Sequence, residues 1–319
     1  MLRGLALATA AIVAAAPFAA PANADPRLDR VLIALGTASD RPFSDQDVEQ
    51  AAASASAFIR ASSYGTERIG FDVTPWLNAF PTFPGCGGLS EGSLDALVAP
   101  LRAAVAGAGF TASSYSRVMY TIADAHCGFY GMTWGTQVLL VREPTPSLLV
   151  HELGHTFGLG HAAASACPVL CMIDETGDPF SPMGEGTGDF STYEKALLGW
   201  IGPQLHARSA GSYTLATADG NAKRPQALVV DTAYGQWWFE YRTKSFRGVL
   251  ARFVDHYAAV PPFDASARLM LNPVHRGRPW IQTGETYRGD GTFTLRVVRM
   301  RSGSADVRFA WRTGSHRDR

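Results

Sequence analysis

Two histidines four residues apart, with a glutamate beside the first, constrain this chain more than any other feature: His151-Glu152-Leu153-Gly154-His155. Side chains at that spacing share one face of a helix, so the segment must be helical if its two imidazoles are to grip one cation. Glu152 is poorly placed to complete the same coordination sphere. It is well placed to take a proton from an activated water, the general-base role. Gly158 lets the backbone turn out of the helix without a Cβ penalty, and His161 then supplies a third ring nitrogen from the far side of the turn. Three neutral imidazoles plus a water form the open arrangement of catalytic Zn²⁺, whereas a structural zinc is closed by four protein ligands. The motif therefore predicts a metal centre that performs chemistry, with His151, His155 and His161 as ligands.

The flanking sequence supplies a scaffold for that helix. Residues 31–35 are an apolar burst ended by Gly36 and predict a first strand. Val48, Ala51, Ala52, Ala55, Phe58 and Ile59 follow the helical period across 45–63, and Gly65 ends the run. Strands are predicted over 68–73, 117–122 and 136–141, and a second helix over 91–106; Pro75 and Pro81 confine the segment around them to loop. Thr145 caps the histidine helix with Pro146 in its first turn, where the missing N–H costs nothing. Leu148, Leu149 and Val150 should pack on the sheet while the histidines face a cleft. The expected fold is an α/β (α+β) catalytic domain with a mixed sheet, spanning 25–205. Ser191 and Glu194 form a capping box that starts its last helix, 192–198.

Beyond residue 205 the helical period disappears. Short β-prone runs at 212–216, 227–230, 237–241, 249–254, 268–271, 292–298 and 306–311 predict an all-β, sandwich-like second domain over 206–319. The charge changes at the same place: residues 25–205 carry 9 Lys+Arg against 19 Asp+Glu, and 206–319 carry 18 against 9. Attraction between the halves, or of the second half to an anionic wall surface, would fit, and so would two differently charged solvated surfaces. The basic excess belongs to no recognised nucleic-acid module, so no nucleic-acid partner is expected. Trp237, Trp238, Phe239 and Tyr241 offer a carbohydrate platform, while alternation through Trp238 and Glu240 divides them between core and surface.

Residues 1–24 read as a secretory signal: Arg3, an apolar run from Leu5 to Phe18, and Ala22-Asn23-Ala24 as the cleavage site before Asp25. The mature protein is expected to be secreted, extracellular, without a membrane span and monomeric. Four cysteines in an exported chain suggest disulfides. Cys86, Cys127, Cys167 and Cys171 allow three connectivities, and Cys167 with Cys171 could brace the cleft as a small loop. Asp174, Glu175, Asp178, Glu185 and Asp189 make a loose acidic loop, which gives Ca²⁺ a weaker reading because the spacing follows no fixed ligand order. His126 could line the cleft; His206, His256, His275 and His316 read as surface or domain-contact residues.

His151, Glu152, His155, Gly158 and His161 resemble the long zinc motif of the metzincin peptidases, and Ser181-Pro182-Met183-Gly184 resembles their Met-turn. Followed by Phe190 to Ile201, the pattern is similar to the gametolysin-like zinc endopeptidases. The resemblance implies peptide-bond hydrolysis of a protein or peptide, including a cell-wall glycoprotein, with Met183 supporting the site from below. It also implies a Cys86 to Cys127 pairing. Some metzincins carry a Tyr two residues after the Met as an oxyanion donor; Glu185 stands there, Tyr193 is nearby, and the role could fall to the metal. The alternatives are a zinc amidase or ester hydrolase acting on cell-wall material, and a cell-surface or carbohydrate-binding protein with a vestigial peptidase domain.

Overall fold

The computed structural model describes residues 28–38, 41–81, 91–122, 127–166, 172–220, 222–255, 267–274 and 277–312. The expected signal segment 1–24 lies outside them, as do Cys86, Cys167, Cys171, His126, His256, His275 and His316. The architecture is mixed α/β, with three sheets and four α-helices among the described residues. No described helix is long and apolar enough to cross a membrane.

The first sheet contains β1 (Leu28–Thr37), β2 (Arg68–Val73), β3 (Leu77–Asn78), β4 (Arg117–Ile122), β5 (Gly131–Trp134) and β6 (Gln137–Leu140). Its order is β2-β1-β4-β6-β5, with β3 beside the end of β1. All neighbours are parallel except β5, which closes the edge antiparallel to β6. Because β1 is buried on both faces, it reads as a continuous apolar run. Val31, Ile33 and Leu35 meet the helices α1 (Asp45–Ser62) and α3 (Pro146–Thr156). Leu32 and Ala34 face the opposite layer, with Leu94, Val98 and Leu101 of α2 (Glu91–Gly107). The caps follow the sequence: Ser44 and Asp47 form a capping box on α1, and Thr145 accepts from Leu148 N at the start of α3.

The second half builds two sheets around one core. Strands β7 (Ala164–Ala166), β8 (Met172–Asp174), β9 (Leu205–His206), β11 (Ala227–Asp231), β12 (Gly235–Arg242), β13 (Gly248–Asp255), β14 (Arg268–Met270) and β15 (Trp280–Ile281) form an eight-stranded sheet. A four-stranded antiparallel sheet, β10-β18-β17-β16, comprises β10 (Gly211–Ala216), β16 (Thr286–Gly289), β17 (Phe293–Met300) and β18 (Ser304–Trp311). Trp237, Phe239, Tyr241, Val249 and Ala251 of the larger sheet share a buried cluster with Leu215, Phe293, Leu295, Val307 and Phe309 of the smaller one. The aromatics proposed as a carbohydrate platform are therefore core: Trp237, Trp238, Phe239 and Tyr241 are 6%, 8%, 0% and 0% exposed.

The expected surface face of β12 is also buried. Trp238, Glu240 and Arg242 alternate away from the shared core and meet α4 (Thr192–Leu197) and the loop before it; Trp238 packs edge-on against Tyr193. The eight-stranded sheet crosses position 205, since β7 pairs with β14 in parallel and β8 pairs with β7.

The expected two disulfides are cut back to what the described residues carry: none joins two described residues, and Cys127, the one cysteine described, is disulfide-bonded and packs against the α2 side of the first sheet. The acidic loop does not gather into an oxygen cage for Ca²⁺. Asp178 pairs with Arg252, Asp189 takes Lys195 Nζ at 2.5 Å, and Glu175 faces His161.

The loop 178–192 is held to the sheet by buried charge. Arg252, 0% exposed, binds Asp178 and reaches Glu240 Oε1 at 3.3 Å. Arg242 binds Glu240 Oε1 at 3.0 Å and donates to the carbonyls of Asp189 and Phe190, each at 2.9 Å. Removing one member strands its partners in a dry interior, which costs about 3–5 kcal/mol, whereas removing both ends of a pair can be close to neutral. Arg252→Met should lose stability in that range by urea unfolding. Adding Asp178→Asn, which retains the acceptor for Phe180 N, should recover at least about half of the loss.

Candidate metal centre

Helix α3 divides its residues by face. Leu149, Val150 and Leu153 are buried against the first sheet, while His151 and His155 project one turn apart into the cleft. The helix stops at Thr156 with Phe157 as its cap, and Gly158 takes a φ of 93°, the left-handed conformation that the turn to His161 requires. The three histidines then converge, each offering a ligand atom within 4.8 Å of the others.

Each ring is oriented by a partner on its Nδ1. His151 Nδ1 donates to the Pro182 carbonyl at 2.8 Å, and His155 Nδ1 donates to the Leu159 carbonyl at 2.8 Å. Carbonyl oxygens accept only, so both protons sit on Nδ1 and both Nε2 atoms keep a lone pair. Those two Nε2 atoms face each other at 3.1 Å with no proton between them. Two lone pairs at that separation repel unless a cation lies between them, so the donor set fits a metal ion. Burial supports the same protonation state: it lowers His151 to about 4, helped by His155, and it lowers His155 as well. His161 Nδ1 lies 2.9 Å from Glu175 Oε1, a carboxylate partner to the third ring.

Glu152 is 3% exposed, and burial pushes its carboxyl up to about 7, against the opposing effect of the Thr133 hydroxyl. Thr133 Oγ1 donates to Glu152 Oε2 at 2.5 Å. Gly131, two residues earlier on the same face of β5, lies against Oε1 and the carboxyl carbon, which occupy the volume a Cβ would fill. The edge strand is thus a seat for the carboxylate.

Met183 is fully buried beneath the histidine helix, with its sulfur occupying the space a side chain on Gly154 would need. Tyr193 is not at the cleft, because it is buried against Trp238. Glu185 lines the cleft, and His206 lies in the second half, 3.2 Å from Asp231. Two adjoining cavities, of about 630 and 580 Å³, share Gly131, His151 and Glu152 as a common wall. One extends past Tyr130, Leu148 and Pro182; the other follows Met132 and Thr133 toward His155 and His161.

Sequence reasoning singled out the three histidines and the glutamate but not the residues that hold them. Thr133 and Gly131 belong to a strand unrelated in sequence to the motif. The Pro182 and Leu159 acceptors are backbone atoms and have no residue signature. Glu175 is visible only as a loop acid.

No family profile and no curated protein matches the sequence. Among solved structures, one chain of a chaperone–substrate complex is similar at 14% identity and a TM-score of 0.30, over 54% of this chain and 33% of that one. The chain thus spans about a third of that structure's length, and a likeness of this size carries no inference.

A carboxylate on the outer nitrogen of a ligand histidine fixes the ring and raises its basicity, and loss of such a partner costs about 10–100-fold in metal affinity. Glu175 is 61% exposed, which places its effect at the lower end. Glu175→Ala should weaken binding of a metal ion at the three histidines by about tenfold in a chelator competition, with Glu175→Gln intermediate.

Proposed function

We propose that the protein is a secreted zinc-dependent endopeptidase of the metzincin class, similar to the gametolysin-like peptidases. One observation carries the reading: two unprotonated imidazole nitrogens, 3.1 Å apart, face each other beside a third histidine and a buried glutamate. Three imidazole donors with no fourth protein ligand among the described residues suit an open zinc site better than an oxygen-seeking cation. In this reading the layered first half is the metzincin-like domain, the paired sheets of the second half are its sandwich-like companion, and Met183 is the Met-turn residue.

A zinc ion held by His151, His155 and His161 would supply Lewis acidity toward a carbonyl oxygen and toward water. The remaining work falls to the chain. Glu152 accepts the proton that the attacking water loses, using Oε1, the oxygen not engaged by Thr133, and returns it to the departing amine nitrogen. Thr133 keeps the carboxylate from rotating out of the cleft. A carboxyl whose pKa is held near 7 is matched to both halves of that exchange at neutral pH.

The cleft also favours an extended peptide over a compact amide or ester. β5 is the open edge of its sheet, and its residues line the cavity wall beside Glu152. An extended chain can add to such an edge through backbone hydrogen bonds, with cavity space on both sides of the reacting centre.

The test is incubation of the protein with a diverse peptide library, with and without a chelator, followed by mass spectrometry of new termini. Chelator-sensitive internal cleavage is expected; release of terminal or side-chain amides alone would favour the amidase. The variants separate binding from chemistry. His→Ala at 151, 155 or 161 should lower zinc occupancy by elemental analysis along with turnover. Glu152→Gln should keep the metal and lose at least about 10²-fold in rate at equal occupancy. Metal-loaded Glu152→Gln that cleaves at the unaltered rate would refute the mechanism.

A further inference from the structure

The outward face of the four-stranded sheet carries a charge pattern that the metal site does not use. On β16, β17 and β18 the inward positions are apolar and buried, including Tyr287, Phe293, Leu295, Val297, Val307 and Phe309. The alternate positions place Arg288, Arg296 and Arg308 in solvent on three adjacent strands. Arg296 and Arg308 are direct register partners, an arrangement in which like charges oppose each other and destabilise the pair. A bulge between Val297 and Arg299 leaves Val298 and Arg299 both exposed, with Arg299 opposite Asp306.

Asp306 does not neutralise the face. Its carboxylate accepts from Thr214 Oγ1 at 2.9 Å and pairs with Arg301 at 2.7 Å, and it is held below the usual carboxylate range by the Thr214 hydrogen bond first and by Arg301 and Arg299 after it. Among the described residues no carboxylate pairs with Arg288, Arg296 or Arg308. The fold therefore keeps Arg296 and Arg308 opposite each other with Arg288 diagonal to them on the next strand, against their mutual repulsion and with no described carboxylate paired to any of the three.

We propose that this face binds a linear phosphate polymer, with successive phosphates seated on Arg288, Arg296 and Arg308. Arg296 and Arg308 are direct neighbours, and Arg288, whose register partner is Thr294, lies diagonal to Arg296 on the next strand, about 7–8 Å away, so the three side chains make an oblique track across the sheet, which suits a chain-like ligand. Guanidinium groups engage phosphate oxygens in a planar, two-point fashion, and a polyanion relieves the Arg296–Arg308 repulsion on binding. The same strands turn their aromatic rings inward, so the face has no platform on which nucleic-acid bases could stack. Val298, at 48% exposure, is the one large apolar side chain recorded as exposed on these strands, too little to insert into a bilayer. The proposal is independent of the peptidase reading, because the face uses none of the cleft residues.

The test uses the full chain and long-chain sodium polyphosphate, titrated over a series of NaCl concentrations. The variant Arg288→Gln/Arg296→Gln/Arg308→Gln is compared with a charge-matched control, Arg41→Gln/Arg60→Gln/Arg68→Gln, whose residues are exposed elsewhere. The unaltered protein and the control should bind alike. The face variant should lose at least about tenfold in affinity, and its slope of log K against log salt should fall by about two to three, one phosphate contact for each arginine. Its Tm should equal or exceed that of the unaltered protein, because a like-charge pair has been removed, so lost binding would not reflect unfolding. Equal losses in both variants, undiminished binding by the face variant, or tighter binding to single-stranded DNA or phosphatidylglycerol vesicles than to polyphosphate would each overturn the proposal.

Discussion

The guanidinium of Arg252, buried between Asp178 and Glu240, is the contact on which the geometry of the histidine cluster depends. A charge taken out of water is costly unless partners surround it, so the loop carrying Asp178 has one position in which the interior tolerates it. That position propagates by short backbone steps. Asp178 N donates to the Ala162 carbonyl at 3.1 Å and Ala162 N donates to the Met183 carbonyl at 2.8 Å, so the residue after His161 is stitched to the loop at two points. Pro182, which orients His151, lies between them. Ser181 adds a second anchor, because its hydroxyl reaches Glu194 at 2.8 Å while accepting from Met183 N at 3.1 Å.

The histidine cluster is pre-organised against its own electrostatics. Each Nδ1 of His151 and His155 is committed to a carbonyl, and burial disfavours the protonated forms, so the rings hold two lone pairs toward one point. Water cannot relax this cheaply in a half-buried cleft; a cation can. Glu152 has the complementary problem, because its burial raises its pKa by penalising the charged form. Thr133 lowers it again, and the two effects together leave a carboxyl that can both accept and release a proton.

Local rules were readable from sequence wherever one residue type answers one local requirement. Thr145 and Ser191 cap their helices as their positions predict, Gly158 makes the turn, and the apolar burst at β1 becomes the buried central strand. The β-prone runs of the second half also become strands, within two residues at their ends. Contacts between distant segments were less accessible. β7 and β8 are three residues each, too short to show a period, and they exist because β14 offers a partner about a hundred residues later. β12 misled in a more instructive way. Alternation separated Trp237, Phe239 and Tyr241 from Trp238, Glu240 and Arg242 correctly, but alternation reports only that the two faces differ. It does not say that the polar face meets water, and here that face meets a charged loop.

That burial also relates the two charge balances along the chain. Asp178 and Asp189 come from the acidic half, Arg242 and Arg252 from the basic half, and they meet in one dry layer together with Glu240 and Lys195. Only a few residues of each excess are used in this way, so the general asymmetry is not itself the adhesive; a small set of matched, desolvated charges is. The consequence for the site follows from chain distance. His161 is followed within three residues by β7, whose Ala164 pairs with Leu269 of β14, and Leu269 N donates to the Ala163 carbonyl at 2.8 Å. A shift of β14 therefore reaches the third histidine through a stretch of backbone too short to absorb it. His151 and His155 ride on a helix anchored to the first sheet, whereas His161 is anchored to the second. The distance between the imidazoles thus measures how well the two halves are packed.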